Sequence, residues 1–179
     1  MKTVAFTGHR PEKLNFREID TDEKYLRFRN IQLKVIKRLL ELGYNRFVSG
    51  MARGFDIWAA EDVCRIKKEY PQIELICAVP YEGQQELWKD EYKKRWENII
   101  SQSDEIVYTS NKYTKSCFHK RNRYIVDISD AVVCCFDGTS GGTAYTVDYA
   151  LKKHKLVIQI NPHTCKVEIL SERKVQKNT

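Results

Sequence analysis

The chain has 179 residues, of which 42% are hydrophobic and 31% charged, and it carries a formal net charge of +7. That length fits one domain with a sizeable core, and no apolar run is long enough to cross a bilayer. A basic balance suits a polyanionic partner, nucleic acid or a phosphorylated small molecule, although lysines such as Lys67, Lys68 and Lys89 sit beside acidic residues and are ordinary solvated surface.

Val4–Phe6 is a short apolar run ending in Thr7-Gly8 and reads as a first buried strand. Helical spacing follows from Asp22 to Leu42, where Leu26, Ile31, Val35, Leu39 and Leu42 can share a face before the stop at Gly43. Arg46–Ser49 is the second strand, and it runs into Gly50. Asp56 can cap a helix reaching Tyr70, ahead of Pro71. Ile73–Val79 is the third strand. Gln84–Ile100 is helical, with Trp88, Tyr92 and Trp96 at packing positions. Glu105–Tyr108 is a strand, Ser116–Asp127 a basic helix, and Ala131–Phe136 an unbroken apolar strand covered on both faces. Thr143–Lys153 is the next helix and Leu156–Ile160 the last strand; from Ser171 onward the chain is polar.

Short apolar strands alternating with helices predict a Rossmann-like, doubly wound α/β fold. The expected sheet is mainly parallel, of about five to six strands, with helices on both faces. It forms a single domain over 1–170, with a polar C-terminal tail at 171–179. The apolar stretch at Val4–Phe6 is too short for a signal-peptide core, and the expected location is the cytoplasm. The six cysteines show no metal-ligand spacing, so buried free thiols are expected and no metal site.

In open parallel sheets, ligands bind beyond the carboxyl ends of the strands, where the strand order reverses. Three strand ends here carry small or turn-forming residues ahead of a helix. The first is Thr7-Gly8-His9-Arg10, in which Arg10 can pair with phosphate and His9 can act as donor or acid/base. The second is Ser49-Gly50-Met51-Ala52-Arg53-Gly54-Phe55-Asp56, with Arg53 a cation between glycines and Asp56 either a plain helix cap or a site residue. The third, Asp137-Gly138-Thr139-Ser140-Gly141-Gly142-Thr143, is the strongest signal. Glycines and hydroxyls between a buried strand and a helix start are what a backbone phosphate cradle needs. It is not a Walker A loop, because no Gly-Lys-Ser/Thr follows. Within the basic run Lys120-Arg121-Asn122-Arg123, Arg121 and Asn122 either point to the ligand or belong to a solvated helix face.

These loops, together with Arg121-Asn122-Arg123-Tyr124-Ile125-Val126-Asp127, resemble the SLOG superfamily, and most closely its YpsA-like branch. The resembling segments run from Phe6 to about Ala150. The same superfamily holds the DNA-processing protein A domain and the "lonely guy" phosphoribohydrolases. The resemblance implies a Rossmann-like fold and a nucleotide-derived ligand, but no particular reaction. The phosphoribohydrolases carry Gly-Gly-x-Gly-Thr-x-x-Glu with a catalytic glutamate. Here Gly141-Gly142-Thr143-Ala144-Tyr145-Thr146-Val147 brings no glutamate, and Asp148 is the nearest carboxylate. Likeness to the DNA-processing protein implies single-stranded DNA as another partner.

The leading expectation is a sensor or regulatory module that binds a nucleotide or nucleotide-derived phosphate ligand, of the NAD or ADP-ribose kind among others. The binding set is Thr7, Gly8, His9, Arg10, Ser49, Gly50, Arg53, Gly54, Asp56, Arg121, Asn122, Asp137, Gly138, Gly141, Gly142 and Thr143. The alternatives are an N-glycoside or phosphoribosyl hydrolase using His9 or Asp148, and a single-stranded nucleic-acid binder. Pairing of related domains through helices adds a homodimer to the expectations.

Overall fold

Seven strands form one sheet in the order β4-β3-β2-β1-β5-β6-β7 in the computed structural model, which describes residues 1–170. The polar tail expected at 171–179 lies outside the described residues. The strands are β1 (Lys2–Gly8), β2 (Tyr44–Ser49), β3 (Glu74–Val79), β4 (Glu105–Tyr108), β5 (Ala131–Cys135), β6 (Leu156–Ile160) and β7 (Val167–Leu170). All neighbours pair in parallel except β6 and β7, which are antiparallel. The fold class is the one expected. The additional strand, β7, has no buried face to announce it, since Val167 and Ile169 are exposed.

The central strands are apolar at successive positions because both faces are covered. Val4, Phe6, Phe47, Leu75, Cys77 and Val133 face one way. They pack under α1 (Glu23–Glu41), α2 (Phe55–Lys67) and α3 (Asp90–Ile100). Ala5, Val48, Ile76, Ala78, Val132 and Cys134 face the other way, under α4 (Cys117–Asp127) and α5 (Gly142–Lys152). The chain winds outward from β1 to β4 and then returns through α4 to β5 on the opposite side of β1. The strand order therefore reverses at the β1–β5 junction.

Two helices differ from their sequence pattern. In α1 the buried stripe is Tyr25, Phe28, Gln32, Ile36 and Leu39, while Leu26 and Leu42 are about half exposed. The aromatics at 25 and 28 win the core because they meet Phe16 and Trp58 there. Of the helix expected over Gln84–Ile100, only Asp90–Ile100 forms; the segment before it is a string of turns. Five of the cysteines are buried free thiols and Cys165 is partly buried. No helix among the described residues is long and apolar enough to cross a membrane.

Candidate functional site

β1 and β5 end side by side, with Gly8 opposite Cys135. The His9 amide donates to the Cys135 carbonyl at 3.1 Å, carrying the pairing one residue past the strand. Beyond this junction lies a cleft of about 390 Å³. Of the residues singled out in the sequence, Thr7, Gly8, His9, Arg10, Asp56, Arg121, Asn122, Gly142 and Thr143 line it.

Arg121 and Asn122 resolve the ambiguity of the basic run. Both are buried, and their neighbours Lys120 and Arg123 face solvent. Arg121 Nε donates to Asn122 Oδ1 at 2.8 Å, and Nη1 lies 3.6 Å from Asp56 Oδ2. That separation is an ion pair without a hydrogen bond. Arg121 Nη1 is buried and has no hydrogen-bond partner among the described residues. Burial raises Asp56, and the pull of Arg121, the Ala52 amide and Arg10 does not fully offset it, so the carboxyl is pushed up to about 6. Arg121 is drawn below its usual value by burial and by Arg10, against the pull of Asp56. A guanidinium nonetheless stays protonated in proteins.

Asp56 is not the cap of α2. The cap is Gly54, at φ +89°, and the helix starts at Phe55. A Cβ on Gly54 would stand 2.8 Å from the His9 carbonyl oxygen, so this position holds the second loop against the first. Ser49 and Gly50 act from beneath the cleft. The buried Ser49 hydroxyl donates to the Asp56 carbonyl at 2.9 Å and accepts from the Met51 amide. A Cβ on Gly50 would fall 2.3 Å from Arg121 Nη1 and 2.7 Å from Asp56 Oδ2, so the ion pair occupies the space a side chain would need. Arg53 turns away, pairing with Glu12 at 2.6 Å and lying over the Tyr92 ring.

The last loop divides in the same way. Gly142 and Thr143 line the cleft at the start of α5, where first-turn amides have no intrahelical acceptor. Gly141 is the cap, at φ +139°, and Gly138 is exposed. Asp137 serves His9: its Oδ1 lies 2.7 Å from His9 Nε2 and also accepts the Thr139 amide and hydroxyl. Burial pushes Asp137 up, but the Thr139 contacts and the imidazoles of His9 and His163 outweigh it and hold the carboxyl well below the usual carboxylate range. An ionised carboxylate can only accept, so the proton sits on His9 Nε2. Asp148 is exposed on α5 and does not reach the cleft, because Thr143, Thr146, Val147, Ala150 and Leu151 form the buried stripe of that helix.

Glu12, Lys13, Ala52 and Phe118 complete the lining and were not singled out in the sequence. Lys13 belongs to the 3₁₀ turn Pro11–Lys13, and its Nζ donates to the Ser140 carbonyl at 3.0 Å, tying the first loop to the last. Arg10 lies over the Phe118 ring at 5.8 Å and has no ion-pair partner among the described residues. With Glu12 engaged by Arg53 and Asp56 facing Arg121, the cations Arg10, Lys13 and Arg121 dominate the cleft. Among the described residues no group of three or more His, Cys, Asp or Glu side chains could hold a metal ion.

The model of the YspA SLOG family matches residues 4–165, which covers the whole cleft. The chain belongs to the YspA SLOG family. Curated relatives include a UPF0398 protein of Bacillus thuringiensis (strain Al Hakam), 30% identical over 164 residues, with 87% of this chain and 86% of that protein covered. A UPF0398 protein of Bacillus cereus (strain Q1) matches at the same identity and coverage. Among solved structures, DNA processing protein A from Streptococcus pneumoniae aligns with a TM-score of 0.59 at 19% identity, over 89% of this chain and 50% of that one. DNA processing protein A from Helicobacter pylori, described in terms of its single-stranded DNA binding mode, aligns with a TM-score of 0.60 at 20% identity, over 89% of this chain and 65% of that one. This family member therefore shares its fold with DNA processing protein A and spans half to two thirds of those structures.

Proposed function

We propose that the cleft at the β1–β5 junction binds the phosphate of a nucleotide or nucleotide-derived ligand, and that the protein works as a sensor or regulatory module. The observation that carries this reading is Arg121: a buried guanidinium with Nη1 unpartnered, in a cleft that also holds Arg10, Lys13 and the start of α5. An unsatisfied donor on a buried cation costs more than a neutral one, and a phosphate oxygen is the acceptor that best relieves it. Free helix amides and the positive end of the α5 dipole favour the same anion.

Binding without turnover is favoured because each described carboxylate lining the cleft faces an arginine. Glu12 is tied to Arg53, Asp56 faces Arg121, and Asp148 lies outside the cleft. Single-stranded DNA is the second reading. It draws on the net charge of +7 and on the likeness in fold to the Helicobacter pylori protein, which is described by its single-stranded DNA binding mode.

A thermal-shift and calorimetric series with AMP, NAD, ADP-ribose and oligonucleotides of increasing length separates the readings. A small nucleotide that stabilises the fold at moderate concentration supports the sensor module. Stabilisation by long oligonucleotides alone, falling steeply with salt, supports the DNA reading instead. Release of adenine from AMP, abolished by Asp56→Asn, would make the protein a hydrolase.

A further inference from the structure

A second chamber of about 390 Å³ adjoins the cleft and shares Arg10, Ala52 and Phe118 with it. Its character is different. Tyr81, Leu87 and Trp88 form its apolar wall, and Arg53 and Lys89 stand at its rim. Leu87 is 99% exposed, so no part of the described fold covers it. Trp88 and Phe118 are half-buried.

The wall is braced rather than loose. Phe118 meets Tyr81 edge-on at 6.1 Å, and Tyr113 packs edge-on against both rings. Trp88 meets Tyr92 edge-on at 6.5 Å, and Tyr92 donates its hydroxyl to Glu18. At the boundary between the chambers, the planar guanidinium of Arg10 already lies over the Phe118 ring.

We infer that the second chamber seats a planar heteroaromatic ring joined to the phosphate in the first, so that the ligand is a nucleoside phosphate. This rests on the phosphate reading of the cleft and adds the class of the group at its other end. Aromatic faces interleaved with arginine and lysine suit a nucleobase, which stacks on both and is tolerant of base identity. A purely aliphatic occupant has no use for Arg10 and Lys89, and a simple sugar phosphate leaves the apolar wall wet. Each chamber is within the range of small-molecule sites, and Arg10 is placed to touch both ends of one ligand.

The test titrates the full chain with ribose 5-phosphate and with AMP, GMP, CMP and UMP by calorimetry, with tryptophan fluorescence as a second readout. Trp58 and Trp96 are buried, so a ring entering the chamber reports through Trp88. At least one nucleotide binds roughly ten- to a hundredfold tighter than ribose 5-phosphate and changes the emission. Trp88→Ala collapses that ratio towards one, and Trp88→Phe restores the ratio without the optical signal. Thermal melts of both variants check that the fold is intact. Equal affinity for ribose 5-phosphate and all four nucleotides, or a ratio unchanged by Trp88→Ala, overturns the inference while leaving the phosphate site standing. Failure of every one of these phosphates to bind overturns the phosphate reading itself, and the base seat with it.

Discussion

Arg95 and Arg121 are both drawn into the interior of this protein, and their surroundings are opposites. Arg95, on α3, forks onto Glu61 with Nε–Oε1 at 2.6 Å and Nη2–Oε2 at 2.9 Å, and its Nη1 pairs with Glu18. Glu18 also accepts from the Trp58 indole and the Tyr92 hydroxyl. Burial alone would lower Arg95, but Glu61 and Glu18 more than reverse that and raise it. Arg121, on α4, has one carboxylate beyond hydrogen-bond distance and an unpartnered Nη1. The first arrangement is complete and holds three elements together. The second is missing an acceptor, and it is missing it inside a cleft at the point where the strand order reverses. A satisfied buried charge reads as architecture, and an unsatisfied one as a place for a ligand.

The largest expected effect lies on the completed side. Arg95→Ala strands the carboxylates of Glu18 and Glu61 and lowers stability by about 3 kcal/mol, read from chemical denaturation, with nucleotide affinity unchanged. Arg121→Ala costs the fold less than Arg95→Ala, because Asp56 can take up a proton and lose its charge. If the two substitutions destabilise equally, the distinction between architecture and site breaks down.

The pH response of the site is smaller and has a definite sign. Burial pushes Asp56 up to about 6, above its ordinary 3.8. Its contribution to stability is therefore present below its ordinary range and lost as the pH rises through about 6. Below that point the carboxyl is neutral, and Arg121 and Arg10 act unopposed. Sulfate, whose charge is constant over this range, binds several-fold tighter at pH 5 than at pH 7.5, and Asp56→Asn flattens that dependence in calorimetric titrations. The smallest effect on the fold is at Gly142, where an added Cβ meets nothing within 4 Å. Gly142→Ala changes stability by no more than about 0.5 kcal/mol, yet it weakens binding of AMP by taking up open space at the helix start that the phosphate would use. Unaltered affinity in that variant takes the α5 terminus out of the site.

The alternation of short apolar strands and helices was legible because both sheet faces are covered, so the strands show as unbroken runs. The buried stripe of α1 was not. The apolar residues of that helix spread over a broad arc, and the part of it that is buried is decided by Phe16 and Trp58 arriving from elsewhere in the chain. The loops that line the cleft were legible from their glycines, but their division of labour was not. Ser49, Gly50 and Gly54 shape the floor, and Arg53 engages Glu12, because of contacts between loops far apart in sequence. Lys13 and Phe118 carried no motif. They reach the cleft from a single 3₁₀ turn and from the first turn of α4, and only the folded chain brings them there.

The central claim is that Arg121 lacks an acceptor that a nucleotide phosphate supplies. Calorimetric titration of the wild-type protein and of Arg121→Ala with AMP tests it most directly. A charge-assisted hydrogen bond is worth about 1.5–3 kcal/mol, so the account predicts that the variant, still folded by its thermal melt, binds AMP roughly ten- to a hundredfold more weakly. Equal affinity in the two proteins would contradict it.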